Sequence, residues 1–278
     1  MMDNIKKTEL KKQALNVRMG IIEGVHSAKS GHPGGSLSCA DILTYLYFEY
    51  MNIDPKDPKA ANRDRLVLSK GHAAPALYSV LANRGYFPVE DLKTLRQIGS
   101  VLQGHPDMKH IPGVDMSSGS LGQGISTACG MALSSKHFGN DFRVFTILGD
   151  GEIEEGQVWE AAMFAANKNL SNLVAFVDFN NLQIDGSIDE VNSAKPIDKK
   201  FEAFNWHVIT INGHDFDEIE AALKEAETVD KPVAIVANTV KGKGVSFMEN
   251  QVSWHGSAPN DEQYEMAMAE LKAALAAL

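Results

Sequence analysis

Residues 147–186 read ILGDGEIEEGQVWEAAMFAANKNLSNLVAFVDFNNLQIDG. An apolar run ends in Gly149-Asp150-Gly151, a helical pattern follows, and a second apolar run ends in Asn180-Asn181. Strand, helix and strand in that order predict parallel strands joined by a helical crossover. Ligands of such sheets bind at the carboxyl ends of the strands, and Asp150 and Asn180 both fall just past one. Asp150 offers a hard anionic oxygen and Asn180 a hard neutral one, the donors that magnesium and calcium prefer. Glycine on both sides of Asp150 lets backbone N–H groups turn toward a phosphate. Glu152, Glu154 and Glu155 crowd the same loop. They would repel a diphosphate unless a divalent ion neutralised it and the glutamates pointed elsewhere. On these residues alone the stretch is equally compatible with an acidic turn and a helix cap.

Outward from this stretch the alternation continues. Apolar residues at helical spacing predict an amphipathic helix over 8–28, with Lys6, Lys7, Lys11 and Lys12 on a solvated face. Lys29 to Ser36, rich in Gly and Pro around His32, predicts a loop, and a second helix is expected over 37–50. Strands are predicted at 65–69, 143–148, 173–177, 207–211 and 233–237. Helices are expected over 73–83, 89–97, up to His137, 159–169, from Phe201, over 216–227 and at the Ala-rich end. The pattern is that of an α/β fold, a parallel sheet with helices on both faces. With no internal repeat and no low-complexity linker, residues 1–278 are expected to form one domain.

Composition bounds the function. The 278 residues are 44% hydrophobic and 22% charged, ordinary for a globular protein that can bury a sizeable core. A net charge of −10 argues against nucleic acid or an anionic membrane as partner. Cys39 and Cys129 lie in apolar helical contexts and read as buried thiols. No run approaches the ~18 apolar residues of a spanning helix, and the first residues lack a signal-peptide core. A cytoplasmic location is the expectation.

Of nine histidines, His32, His72, His105, His214 and His255 each have a glycine neighbour. Glycine beside an imidazole lets the backbone approach a ligand closely. No pair has the spacing of a zinc helix, so hydroxyl binding and proton movement are the expected tasks. His214, in Asn212-Gly213-His214-Asp215, is expected to cap the following helix with its neighbour Asp215 and stands outside the site. Gly119-Ser120-Leu121-Gly122-Gln123-Gly124 has the form of a loop that cradles an anion before a helix. It matches neither the dinucleotide fingerprint nor the P-loop.

Together these segments resemble a known family. Asn180 follows Asp150 by 30 positions, like the thiamine diphosphate motif. Ser30-Gly31-His32-Pro33-Gly34-Gly35, Ser69-Lys70-Gly71-His72-Ala73, Gly104-His105-Pro106, Gly122-Gln123-Gly124 and Trp254-His255-Gly256 resemble transketolase, in the same order, over nearly the whole chain. The resemblance implies the thiamine diphosphate-binding fold, with thiamine diphosphate and Mg2+ (or Ca2+) as cofactors. It implies metal ligation by Asp150, Asn180 and the Leu182 carbonyl. It implies cofactor contacts from His72, Gly119, Ser120, Leu121, Gly149, Gly151, Asn180 and His255. His32, His105 and His255 would hold sugar hydroxyls and relay protons, and Glu155 would meet its counterpart across an interface between chains. The implied reaction passes a two-carbon glycolaldehyde unit from a ketose to an aldose.

There are departures. Ser120 stands where the larger enzymes usually have proline, and Phe179 replaces an acidic residue before Asn180. Single-chain transketolases are more than twice this length. Their pyrimidine-binding domain, which carries the cofactor-activating glutamate, has no counterpart here. The resemblance therefore implies an N-terminal subunit that works with a C-terminal transketolase chain, as a heterotetramer of two plus two. Pentose phosphates are the default sugars, and a sulfosugar is an alternative. A deoxyxylulose-phosphate synthase-like component and a non-catalytic regulatory relative are the other readings.

Overall fold

The computed structural model describes residues 2–278. In chain order the elements are α1 (Asn4–Ala28), α2 (Pro33–Ser38), α3 (Ala40–Tyr45), β1 (Arg65–Leu68), α4 (Ala74–Arg84), α5 (Gln123–His137), β2 (Val144–Gly149) and α6 (Gly156–Asn167). They continue with β3 (Leu173–Phe179), α7 (Ile188–Val191), α8 (Ile197–Ala203), β4 (His207–Asn212), α9 (Phe216–Ala226), β5 (Val233–Asn238) and α10 (Asp261–Ala276). The five strands form one wholly parallel sheet in the order β1-β2-β3-β5-β4. All five predicted strands are present.

Successive side chains of a strand face opposite ways, so a sheet buried on both faces needs apolar residues throughout. Along β3, Val174 and Phe176 enter one core with α1, α3, α4, α9 and α10. Leu173, Ala175 and Val177 enter the other with α5, α6 and α8. β2 and β5 divide in the same way. The expected helices on both faces are therefore present. Among the described residues no helix is long and apolar enough to cross a membrane.

Four local expectations change. The loop after α1 is shorter than its Gly and Pro content suggested, because Pro33 opens α2 with its φ already helical. A Cβ on Gly34 would lie 2.8 Å from the Trp254 carbonyl, so this short helix packs directly on the 254–256 segment. The expected helix over 37–50 is broken at Cys39 and ends in a wide π turn, Leu46–Tyr50. Residues 89–94 form a 3-10 turn rather than an α-helix. Lys6 and Lys7 are not merely solvated, since they pair with Glu49 and with Asp217.

His214 does not cap α9; Asp215 does, accepting from Asp217 N. His214 Nε2 accepts from Val240 N at 2.8 Å, which leaves Nδ1–H to donate to Asp41 at 2.7 Å. Asp41 also receives both ends of the Arg18 guanidinium, at 2.9 and 2.6 Å, and Arg18 Nε donates to the Lys243 carbonyl. Burial opposes ionisation of Asp41, but Arg18 and His214 outweigh it and hold the carboxyl well below its usual range. This network ties α1, α3 and the start of α9 to the 240–244 loop. Replacing one member leaves the other charge buried and unpaired. Asp41→Asn is expected to cost roughly 3–5 kcal/mol in urea denaturation.

Candidate active site

Adjacent strands β2 and β3 end in register, with Gly149 opposite Asp178. The next residues turn into one cleft of about 310 Å³. Asp150 is 2% exposed and accepts from Gly151 N at 2.9 Å and Asn181 N at 2.5 Å. Burial, with Asp178 nearby, pushes its carboxyl up to about 7. A carboxylate in that condition is short of a cation. Asn180 Nδ2 donates to Asp178 at 3.3 Å, which fixes the amide and turns Oδ1 the other way, where it accepts from Leu182 N at 3.2 Å and keeps a second lone pair. The Leu182 carbonyl is in the same cleft.

Beneath these groups lies Asp178, which the sequence reading passed over. Its Oδ2 accepts from Ser38 Oγ and Lys70 Nζ, each at 2.5 Å, and its Oδ1 from Thr239 Oγ1. Lys70 also donates to the Gly35 carbonyl at 2.6 Å. Glu152 is a second hub. One oxygen takes the Ser69 hydroxyl and Gly122 N at 2.9 Å, the other takes Gly149 N at 2.9 Å. One buried carboxylate thus joins the ends of β1 and β2 to the glycine-rich loop before α5. For Asp178 the available signal was a charge inside the apolar run of β3, since a buried charge requires partners.

Three histidines from distant loops meet over the cleft. Ring centroids are 5.2 Å apart for His32 and His72, 5.6 Å for His32 and His255, and 5.2 Å for His72 and His255. Lys241, also missed from the sequence, donates through Nζ to His255 Nδ1 and to the Leu182 carbonyl, both at 2.9 Å. An ammonium cannot accept, so His255 carries its proton on Nε2. Burial and then Lys241 push His255 down to about 3. Burial, Arg96 and His105 push His32 down to about 4, and His72 is likewise lowered by burial and Lys70. Burial, reinforced by Lys70 and opposed by Asp150, pushes Lys241 down to about 8.

The cleft therefore gathers His32, His72, Gly119, Leu121, Gly149, Asp150, Gly151, Asn180, Leu182 and His255 from the expected residues. Gln183 and Ile184 line it as well, unanticipated. Three expected residues lie outside its lining. His105 packs its ring on Gly119 from the outer side, where an added Cβ would be 3.2 Å from the ring. Ser120 is exposed, and Glu155 is exposed against Gly122, whose φ of 78° is left-handed. Among the described residues no three His, Cys, Asp or Glu side chains converge as a metal cage. The Asp150, Asn180 and Leu182 oxygens are a different kind of set, with a single charge.

Comparison with known proteins matches residues 10–275 to the transketolase thiamine diphosphate-binding domain. The chain belongs to the transketolase family. A 6-deoxy-6-sulfo-D-fructose transketolase subunit of Clostridium sp. is 47% identical over 270 residues, covering 96% of this chain and 98% of that one. An apulose-4-phosphate transketolase subunit of Phocaeicola vulgatus is 41% identical, over 94% of this chain and 93% of that one. The crystal structure of Campylobacter jejuni transketolase superposes with a TM-score of 0.90 at 35% identity, covering 98% of this chain but 43% of that one. The chain thus spans under half of the full-length transketolases and nearly all of the subunits that resemble it.

In Glu152→Gln the amide NH2 must face one of three donors, so the Gly122 and Gly149 amides should lose hydrogen-exchange protection, at a cost of about 1–3 kcal/mol. His32 and His255 should stay neutral in an NMR titration down to pH 5. Their folded pKa values lie below the unfolded value of about 6.5, so acid favours the unfolded chain. Stability should hold above that pH and fall as pH drops from about 6.5 toward 4.

Proposed function

We propose that this chain is the diphosphate-binding half of a two-chain transketolase that moves a two-carbon ketol unit from a ketose to an aldose. The observation that carries the reading is the meeting, in one cleft, of the Asp150, Asn180 and Leu182 oxygens with the neutral cluster His32, His72 and His255. The family supports thiamine diphosphate as the cofactor, which when bound supplies the carbanion that makes and breaks the carbon–carbon bond.

The residues fit that group. Three carboxylates in and under the cleft, Asp150, Glu152 and Asp178, face two ammoniums, Lys70 and Lys241. A diphosphate added to this excess of negative charge requires a divalent cation. Mg2+ (or Ca2+) suits three oxygen donors, and the diphosphate oxygens would complete its shell. Asp150, Asn180 and the Leu182 carbonyl would hold the metal. Gly149 and Gly151 N–H groups, His72, His255 and Lys241 would hold the diphosphate, and Gly119, Ser120 and Leu121 the rings. His255 offers Nε2–H as a donor, because Lys241 occupies Nδ1. His32 and His105 would bind sugar hydroxyls, the former with a buried Nδ1 that has no partner in the protein. Neutral imidazoles can hold a hydroxyl and pass its proton without adding a positive charge beside the cofactor.

The similar subunits of nearly equal length support a partner chain, carrying the pyrimidine-binding domain, in a heterotetramer of two plus two. Glu155, exposed at the start of α6, would face it. Two free buried cysteines suit a reducing cytoplasm. The donor sugar is a ketose with an anionic terminus. The sulfofructose relative favours a sulfosugar over a pentose phosphate.

Purified alone, the chain should show no ketol transfer, and adding the partner chain should restore it. Activity of the lone chain would sink the two-chain reading. Asp150→Ala should abolish magnesium-dependent thiamine diphosphate binding in calorimetry on the two-chain complex. The apo chain should stay folded, since losing the acceptor of the Gly151 and Asn181 amides is offset by removing a buried carboxylate that lacks a cation. Unchanged cofactor affinity would refute the ligand assignment.

A further inference from the structure

Among the described residues two lysines are buried, Lys70 and Lys241, and their ammoniums are held differently. Lys70 Nζ is paired with the Asp178 carboxylate and donates to the Gly35 carbonyl. Lys241, 1% exposed, donates only to neutral acceptors, the Leu182 carbonyl and His255 Nδ1. Asp150 lines the same cleft, and its hydrogen bonds come from two main-chain amides. A buried charge is costly unless an opposite charge meets it. Here a cation and an anion share one cleft, and each is held by neutral groups.

The stem of Lys241 is fixed and its head is not. Gly242 N donates to the Gly34 carbonyl at 3.0 Å, and Asn250 N donates to the Lys241 carbonyl at 2.9 Å. A Cβ on Gly34 would lie 3.0 Å from Lys241 Cγ and 3.2 Å from Cε, so the stem lies against α2 at a residue with no side chain. Rotation about the last carbon–carbon bond moves Nζ while the stem stays in place.

The Leu182 carbonyl is claimed twice. It accepts from Lys241 at 2.9 Å, and it is one of the three oxygens assigned above to the metal. A divalent cation ligated by that oxygen would lie within about 5 Å of Nζ, where the two charges repel. The charge balance points the same way. Asp150, Glu152 and Asp178 exceed Lys70 and Lys241 by one negative charge, so a divalent cation alone would reverse the sign of the site. Without the Lys241 charge the excess would be two, which a divalent cation alone neutralises.

We propose that Lys241 is a positioning residue that admits the divalent cation to this cleft only together with a diphosphate. This rests on the function proposed above and deepens it by assigning the joint entry of metal and cofactor to one side chain. A metal arriving alone meets the ammonium on the shared carbonyl. A diphosphate draws the ammonium onto a phosphate oxygen, and the carbonyl is left to the metal. His255 stays bonded to Lys241 through Nδ1, so its Nε2–H still faces the ligand.

The test uses the complex of this chain with its partner and Mn2+ as a paramagnetic probe in place of Mg2+, free Mn2+ being counted by electron paramagnetic resonance. The unsubstituted complex should bind Mn2+ weakly alone and about 100-fold more tightly with thiamine diphosphate present. Lys241→Met should bind Mn2+ alone about 10-fold more tightly than the unsubstituted complex, and the gain from thiamine diphosphate should shrink at least as much. Lys241→Gln, which keeps a donor for the carbonyl and loses the charge, should behave in the same way and separates charge from packing. Lys243→Met removes an equal charge two positions on, where the lysine pairs with Glu249, and should leave Mn2+ affinity within about twofold. Adding Asp150→Asn to Lys241→Met should abolish the gain. Unchanged or weaker binding of Mn2+ alone in both Lys241 variants would overturn the proposal. A gain that survives the loss of Asp150, or an equal gain in Lys243→Met, would overturn it too. An unsubstituted complex that binds neither Mn2+ nor thiamine diphosphate would sink the function itself, an outcome distinct from these.

Discussion

The buried pair of Asp178 and Lys70 is the interaction on which the candidate site rests. Asp178 is the one acidic residue inside β3, and its side chain is wholly buried. An isolated carboxylate there would be expensive, so its oxygens collect the Lys70 ammonium, two hydroxyls and the Asn180 amide. Each partner comes from a different element: α2, the end of β1, the residue after β3 and the residue after β5. The charge therefore does more than satisfy itself. It draws four segments of the carboxyl edge to one point and orients Asn180, whose oxygen is aimed by the bond made with its nitrogen and by the one it accepts from Leu182 N. Second-sphere contacts of this kind set the geometry of a ligand that has few intrinsic restraints.

Glu152 completes the frame one layer away, and the two hubs have opposite electrostatic characters. Asp178 is held ionised by Lys70 against the cost of its burial. Glu152 has no cation in contact, and its burial raises its carboxyl despite hydrogen bonds from Ser69, Gly122 and Gly149. Asp150 shares this condition. The cleft thus contains carboxylates that the protein alone does not fully compensate, beside imidazoles kept neutral by burial and by Lys241. Such a site is poorly suited to itself and well suited to a ligand that brings its own cation, the usual exchange of stability for function.

Most of the fold was legible because the sheet is buried on both faces. Its strands read as continuous apolar runs, and β3 shows why, with Phe176 in one core and Val177 in the other. Helix limits were less legible where a local signal pointed the wrong way. Glycines at 34 and 35 suggest a loop, yet the missing side chain of Gly34 is what lets α2 press against the Trp254 carbonyl. In the site, the motif residues with recognisable ligand chemistry were found, Asn180 and the Leu182 carbonyl among them, and the buried charges that hold them were missed. Lys70 stood within a quoted motif, and neither it nor Lys241 was given a role. Their partners, Asp178 and the Leu182 carbonyl, are 108 and 59 positions away, and no local pattern encodes such pairing. His214 was half read for the same reason: its neighbour Asp215 caps α9 as expected, while its own partner Asp41 lies 173 positions earlier.

The distribution of chemistry along the cleft argues for a division of labour. The inner end is charged, buried and rigidly bonded. The outer end is apolar and open, with Ile184 63% and Leu121 38% exposed on its rim. Under the proposed function the inner end grips the cofactor's diphosphate and metal, groups whose position must not vary. The exposed apolar pair is left for surfaces that this chain does not supply, the cofactor rings and the partner that covers them. An enzyme divided in this way keeps its costly charged frame in one chain and can change its sugar through the other.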